Sequence, residues 1–211
     1  MKRDRRMPDV FYTGELPPLK KLLLNICNII AYFNGDIKRT ESMKQSMKEA
    51  YDGKKMGDVK DYDTYAQDHY HKIASKLMED VPNNIRGKDI LDVGCGSGIL
   101  TLKLLANGAR KVMCVDISEN MLKTLKNKVL SSGYDPDLIE VKTADAENLP
   151  FEDNSFDTVV SSMVFGLVPN QVKMLQEMVS VAKQGGVIGM STQGPKLYLE
   201  FTIPAIDLLP K

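Results

Sequence analysis

The run Leu91-Asp92-Val93-Gly94-Cys95-Gly96-Ser97-Gly98 constrains this chain more than any other stretch. Its apolar start reads as a buried strand that ends in an acid, and three alternate glycines follow. A second strand-like run ends at Val115-Asp116, about 20 residues past the glycines. A strand, a glycine turn, a helix and a second strand ending in a carboxylate predict an α/β sheet. Such a sheet can hold the ribose of an adenosine-bearing cofactor at its strand ends.

The pattern around that unit alternates. Ile90-Leu91-Asp92-Val93 is predicted as a strand, and Ile99 to Ala106 as a helix closed by Asn107-Gly108. Val112 to Val115 forms the second strand. Ser118 caps a helix whose inward face is Met121, Leu122, Leu125 and Val129. Residues 139–143 and 156–161 read as the third and fourth strands. Asn170 opens a helix that turns Met174, Leu175, Met178 and Val181 inward, and Val187 to Met190 is the fifth strand. Strands alternating with helices predict a mostly parallel sheet with right-handed crossovers.

A division is expected near residue 58. Residues 1–58 read as a helical cap or lid, and 59–211 as the α/β domain. In the cap, Leu19, Leu22, Leu23, Ile26, Ile30 and Phe33 recur at helical steps. A second helix over about 41–52 places Met43, Met47 and Tyr51 on one stripe, with Ser42 and Gln45 at capping-box spacing. Gly53 to Gly57 reads as a linker. An apolar helix of the first kind must cover the core, a substrate, or a second copy of the chain.

Composition narrows the function. Formal net charge is +0, so no general attraction to nucleic acid or membrane follows, despite a mild basic excess near the N-terminus. The three cysteines, Cys27, Cys95 and Cys114, have neither metal spacing nor the even count of a disulfide framework, which fits a reducing cytoplasm. The apolar run from Leu22 to Phe33 is too short, and with Asn25 and Asn28 too polar, to span a bilayer.

The chemistry of the motifs is specific. Glycines at 94, 96 and 98 let the backbone turn sharply and approach a ligand. The next helix then presents free N–H groups to an anionic part of that ligand. Asp116 can accept hydrogen bonds from both ribose hydroxyls, or can simply cap the helix that Ser118 begins. After the third strand, Asp145 can accept from an exocyclic amine while the N–H of Ala146 donates to a ring nitrogen; a plain surface acid is the alternative. The glycines run G-x-G-x-G, with Ile at position 99, so the dinucleotide fingerprint fails at its third glycine.

In order along the chain, the 91–98 run, Val115-Asp116-Ile117-Ser118, Asp145-Ala146 and Leu149-Pro150-Phe151-Glu152-Asp153-Asn154-Ser155-Phe156-Asp157 resemble the successive motifs of the class I S-adenosylmethionine-dependent methyltransferases. The last block is similar to the subfamily that includes quinone-biosynthesis and other small-molecule enzymes. The resemblance spans about 60–195 and implies a three-layer, Rossmann-like sandwich. It implies that Gly94 and Gly96, with Cys95 in the turn, lie against the methionine half of S-adenosylmethionine, and that Asp92 helps hold its amino group. Asp116 would take the ribose. Ile117 and Met121 would sandwich the adenine, whose edge would meet Asp145 and Ala146. Ser161 and Ser162 would face the sulfonium end. Within the aromatic stretch 62–70, Tyr62 is the preferred cofactor contact, with Tyr65 and Tyr70 left equally open between contact and packing.

The resemblance implies methyl transfer to a small-molecule acceptor, with no metal and no nucleic acid partner. A cofactor-binding module without activity, or a protein or RNA methyltransferase, remains open. No catalytic base is named: His69 and His71 precede the first core strand, and Met163-Val164-Phe165-Gly166 stands where related enzymes often carry a histidine. The family's sheet closes with an antiparallel hairpin. Residues 195–209 read here as loop and helix, so that hairpin is expected to be absent. The N-terminal helix, or a second copy pairing as a homodimer, would then cover the exposed edge.

Overall fold

A computed structural model describes residues 41–54, 59–81, 85–193 and 198–204. The helix expected over 19–33 lies outside them. Helix α1 (Glu41–Glu49) runs into a π-helical turn over Ala50–Lys54, and α2 spans Val59–Asp80. The core then alternates: β1 (Asp89–Val93), α3 (Ile99–Ala106), β2 (Lys111–Asp116), α4 (Glu119–Ser131), β3 (Ile139–Thr143), β4 (Phe156–Ser162), α5 (Gln171–Val181) and β5 (Ala182–Gln193). A last strand, β6, covers Tyr198–Pro204.

The sheet order is β3-β2-β1-β4-β5-β6. The first five strands pair in parallel, and β6 is antiparallel to β5. This corrects the reading of 195–209 as loop and helix: Leu199 to Thr202 lie opposite Thr192 to Gly189 as a ladder. Helical and strand periods are hard to separate over so short an apolar run, and the pairing partner decides. Among the described residues, one antiparallel strand stands where a two-stranded hairpin was the reference.

Alternate residues of each strand feed two cores. Leu91, Val93, Val159, Ile188 and Met190 pack on one face with Met174, Leu175 and Met178 of α5. Ile90, Val112, Cys114 and Val160 pack on the other with Leu77 of α2, Leu104 of α3 and Leu125 of α4. Each such fully buried side chain contributes about 1.5–3 kcal/mol relative to exposure. Helix α2 has no counterpart in the sequence reading. Its Ile73, Ala74 and Leu77 are buried, as is Val81 just past its end.

The strand order reverses direction between β1 and β4. In open α/β sheets the crevice outside the carboxyl ends at such a switch point is where ligands bind. The glycine turn after β1, Asp116 at the end of β2, Asp145 after β3 and Ser162 at the end of β4 all lie along this rim.

Candidate functional site

The bend after β1 is built for close approach. Gly94, Gly96 and Gly98 have φ of 71°, 53° and 94°, a region that L side chains rarely adopt. A Cβ on Gly98 would stand 2.3 Å from Leu125 Cδ1, so the bend must be bare there for α4 to pack. At Gly96 a Cβ would meet nothing within 4 Å, leaving open room along the crevice floor. Val115 O accepts from both Gly94 N and Cys95 N, at 2.8 and 2.9 Å, tying the bend to β2.

Two cavities adjoin the bend. The larger, about 860 Å³, is lined by Gly94, Gly96, Asp116, Ile117, Met121, Asp145, Ala146 and Ser162, and also by Lys44, Met47, Tyr51, Tyr70, Met163 and Val164. The smaller, about 430 Å³, is lined by Asp92, Gly94, Cys95, Gly96 and Ser162, with Tyr70 and Met163. The fold thus brings ten of the expected residues around one connected crevice. Tyr62 lies in the first turn of α2, and its side chain is outside the described residues.

Three carboxylates punctuate the crevice. Asp92 is buried; its Oδ2 accepts from Thr101 Oγ1 at 2.7 Å, while Oδ1 has no hydrogen-bond partner among the described residues. Burial, opposed by the Thr101 bond and reinforced by the nearby Asp116 charge, pushes its pKa up to about 7. Asp116 accepts from Gly96 N and Ser118 N, both at 2.9 Å. Burial raises its pKa, while those backbone donors pull the other way. The carboxylate therefore shapes the bend and the start of α4, and its remaining lone pairs are what it can offer a ligand. Asp145 Oδ1 accepts from Glu147 N at 2.9 Å, and its Oδ2 accepts from Lys44 Nζ at 2.7 Å.

Ser161 departs from expectation. It is fully buried, and its hydroxyl donates to Val93 O at 2.8 Å, locking β4 to β1. The alternation of side chains along β4 sends Ser161 inward and leaves Ser162, 3.0 Å from Ser191 Oγ, at the rim. Cys95 is buried in the turn, and burial raises its thiol pKa. His69 and His71 are exposed and line neither cavity.

The sequence reading missed the wall. Lys44, Met47 and Tyr51 stand at i, i+3 and i+7 of one helical face and line the larger cavity. Met47 and Tyr51 belonged to the expected stripe, but Met43 is 40% exposed. Tyr70, left open between contact and packing, lines both cavities together with Met163. Met163 has φ 65°, unusual for a side chain of its size, and sits directly after Ser162 at the strand end.

The donor set tests which ligand fits. The unpaired oxygen of Asp92 and the carboxylates of Asp116 and Asp145 can each accept hydrogen bonds. They match an ammonium, a diol and an exocyclic amine. A pyrophosphate would face like charges. Lys44, the basic side chain among the lining residues, is already paired with Asp145 and Glu147.

Residues 91–190 match the family described as a methyltransferase domain. The chain is 37% identical over 145 residues to the ubiquinone/menaquinone biosynthesis C-methyltransferase UbiE of Hahella chejuensis, covering 67% of this chain and 54% of that one. It spans about half the length of the relatives it matches. Among solved structures, a Methanococcus maripaludis protein described as a candidate S-adenosyl-L-methionine-dependent methyltransferase superposes with TM-score 0.59 at 21% identity, covering 68% of this chain and 65% of that one. The [4+2]-cyclase SpnF superposes with TM-score 0.53 at 22% identity, covering 58% and 44%. These two likenesses concern the fold alone.

Proposed function

We propose that the chain, whose residues 91–190 match a methyltransferase domain, is a class I S-adenosylmethionine-dependent methyltransferase that transfers a methyl group to a small, partly apolar acceptor. The observation that carries this reading is the trio of carboxylates at the carboxyl ends of β1, β2 and β3, set around a glycine bend with open space beside it. S-adenosylmethionine, when bound, supplies a methyl activated by a positively charged sulfur.

The chain's own residues would bind and align. Asp92, through its unpartnered Oδ1, would take the ammonium of the amino-acid half in the smaller cavity, with Cys95 filling the turn. Asp116 would accept from the ribose hydroxyls. Ile117 and Met121 would flank the purine, with Asp145 and Ala146 at its edge. The two cavities share Tyr70, Gly94, Gly96, Ser162 and Met163, so the junction of the two ligand halves falls among them. Met47, Met163, Val164 and Leu167 make the adjoining wall apolar, which favours an acceptor with apolar surface. Alignment of two reactants at contact distance can supply about 7–11 kcal/mol of the barrier.

The proposal keeps residues 1–58 as a cap and 59–211 as the cofactor-binding domain. A homodimer through the N-terminal segment or the sheet edge and a cytoplasmic location belong to it too. Among the described residues, no helix is long and apolar enough to cross a membrane.

Titration calorimetry with S-adenosylmethionine and S-adenosylhomocysteine, followed by labelled-methyl transfer into fractionated metabolites, tests the reading. Binding with transfer into a small molecule is the expected result. Binding without transfer to any fraction would favour a regulatory module, and label in RNA or protein fractions would replace the acceptor class.

A further inference from the structure

The acid at the far end of the crevice is not held by its own loop alone. Asp145 follows β3, an edge strand, and its side chain is 35% exposed. Within the loop its carboxylate accepts from Glu147 N at 2.9 Å. An exposed acid so placed samples several rotamers unless something outside the loop fixes it.

Lys44 does this. Its ammonium lies 2.7 Å from Asp145 Oδ2 and 2.7 Å from Glu147 Oε2, with only 13% of its side chain exposed. The two carboxylates are two residues apart in one loop, and the buried Glu147 would repel Asp145 without a cation between them. The cation arrives on a fixed backbone. Met47 of α1 and Tyr51 of the π-helical turn that follows line the same cavity. Past the helix end, Ser118 Oγ donates to Asp52 Oδ1 at 2.6 Å, and Asn120 Nδ2 donates to Asp52 O at 2.7 Å, pinning the turn to the start of α4. Burial by itself would lower the lysine pKa, but its bonds to Asp145 and Glu147 outweigh it and raise it.

We propose that Lys44 is a positioning residue for purine recognition: bridging Asp145 and Glu147, it aims the Asp145 carboxylate as an acceptor for the amino group of a bound 6-aminopurine. The proposal rests on the adenosyl-ligand reading above. A carboxylate aimed in this way accepts from an amine and repels a carbonyl oxygen. Lys44 therefore acts on discrimination between 6-amino and 6-oxo purines, through Asp145, and lies outside the segment 91–190 that carries the family motifs.

The test is calorimetry with S-adenosylhomocysteine and its 6-oxo counterpart, S-inosylhomocysteine. The proteins are the full chain, K44Q, K44R, D145N and D116A, each checked by thermal melting. The full chain is expected to prefer the amino ligand. K44Q should lose about tenfold in affinity for it, the scale of one charge-assisted hydrogen bond. Its affinity for the oxo ligand should change less than about twofold, within the range of an indirect effect. K44R should restore the preference. Should K44Q fail to fold, D145N, which leaves Lys44 its Glu147 partner, must lose the same preference. Equal weakening of both ligands in K44Q, or no change in either, would overturn the positioning role. A full chain that binds neither ligand, or a D116A variant that binds as well as the full chain, would overturn the adenosyl reading itself.

Discussion

Val164 occupies the space that a side chain on Gly94 would need: a Cβ there would stand 2.2 Å from Val164 Cγ2. Val164, two residues past the end of β4, thus closes down on the bend after β1, across the switch point of the sheet. Gly94 also has φ 71°, so two separate penalties act on any replacement. G94A is expected to cost about 2–4 kcal/mol, from the left-handed backbone and from overpacking. Adding V164A should return about 1 kcal/mol of the steric part and none of the backbone part. Urea unfolding of the two single variants and the double variant measures this; strict additivity would refute the contact.

Asp116 joins the bend to α4 through Gly96 N and Ser118 N. D116N puts an amide NH₂ against one of these donors. It should lower stability by about 1–3 kcal/mol, the cost of a buried group left unpaired. Affinity for S-adenosylhomocysteine should fall by more than about 1 kcal/mol beyond what partial unfolding explains. Calorimetry on the folded fraction separates the two effects.

Asp92 makes both stability and binding depend on pH. Its folded pKa, about 7, lies above the ordinary carboxylate value of 3.8, because burial disfavours the charge. The folded state therefore holds a proton that the unfolded state has released, and stability declines as pH rises from about 4 to about 7. The loss is on the order of 4 kcal/mol in total. D92N should flatten that decline. An ammonium on Oδ1 requires the ionised form, so adenosyl-ligand affinity should rise between pH 5.5 and 8 in the wild-type chain and stay level in D92N. These limits lie on either side of a pKa near 7. Melting and calorimetry across that range check both slopes.

Ser118 serves two elements. Its oxygen accepts from Met121 N at 3.2 Å, capping α4, while its hydroxyl donates to Asp52. S118A should cost about 1 kcal/mol through the lost cap. It should also speed hydrogen exchange across residues 41–52, because the turn after α1 loses one of its two pins. Exchange unchanged in that segment would show that Asn120 alone secures it.

Most of the sheet was legible because its signals are local. Continuous apolar runs, glycine punctuation and capping residues such as Ser118 and Asn170 each act within a few positions, and both caps are present. The acids at 92, 116 and 145 could be placed on one rim because strands of a parallel sheet all end on the same side. Helix α2 was hidden because its aliphatic residues cluster late in its sequence, from Ile73 to Met78. Strand β6 was hidden because its partner, not its composition, makes it a strand. The choice between Ser161 and Ser162 needed the pleat of β4 in register with β1.

The residues from Leu91 to Asp116 by themselves determined a glycine bend flanked by carboxylates, since glycine freedom and strand-end acids are properties of short segments. Only the tertiary structure decided what walls it in. Lys44 meets Asp145 across 101 positions of sequence, and Val164 meets Gly94 across the sheet. No local period encodes such pairs; they exist because packing two layers of helices on one sheet brings distant surfaces within reach of a hydrogen bond.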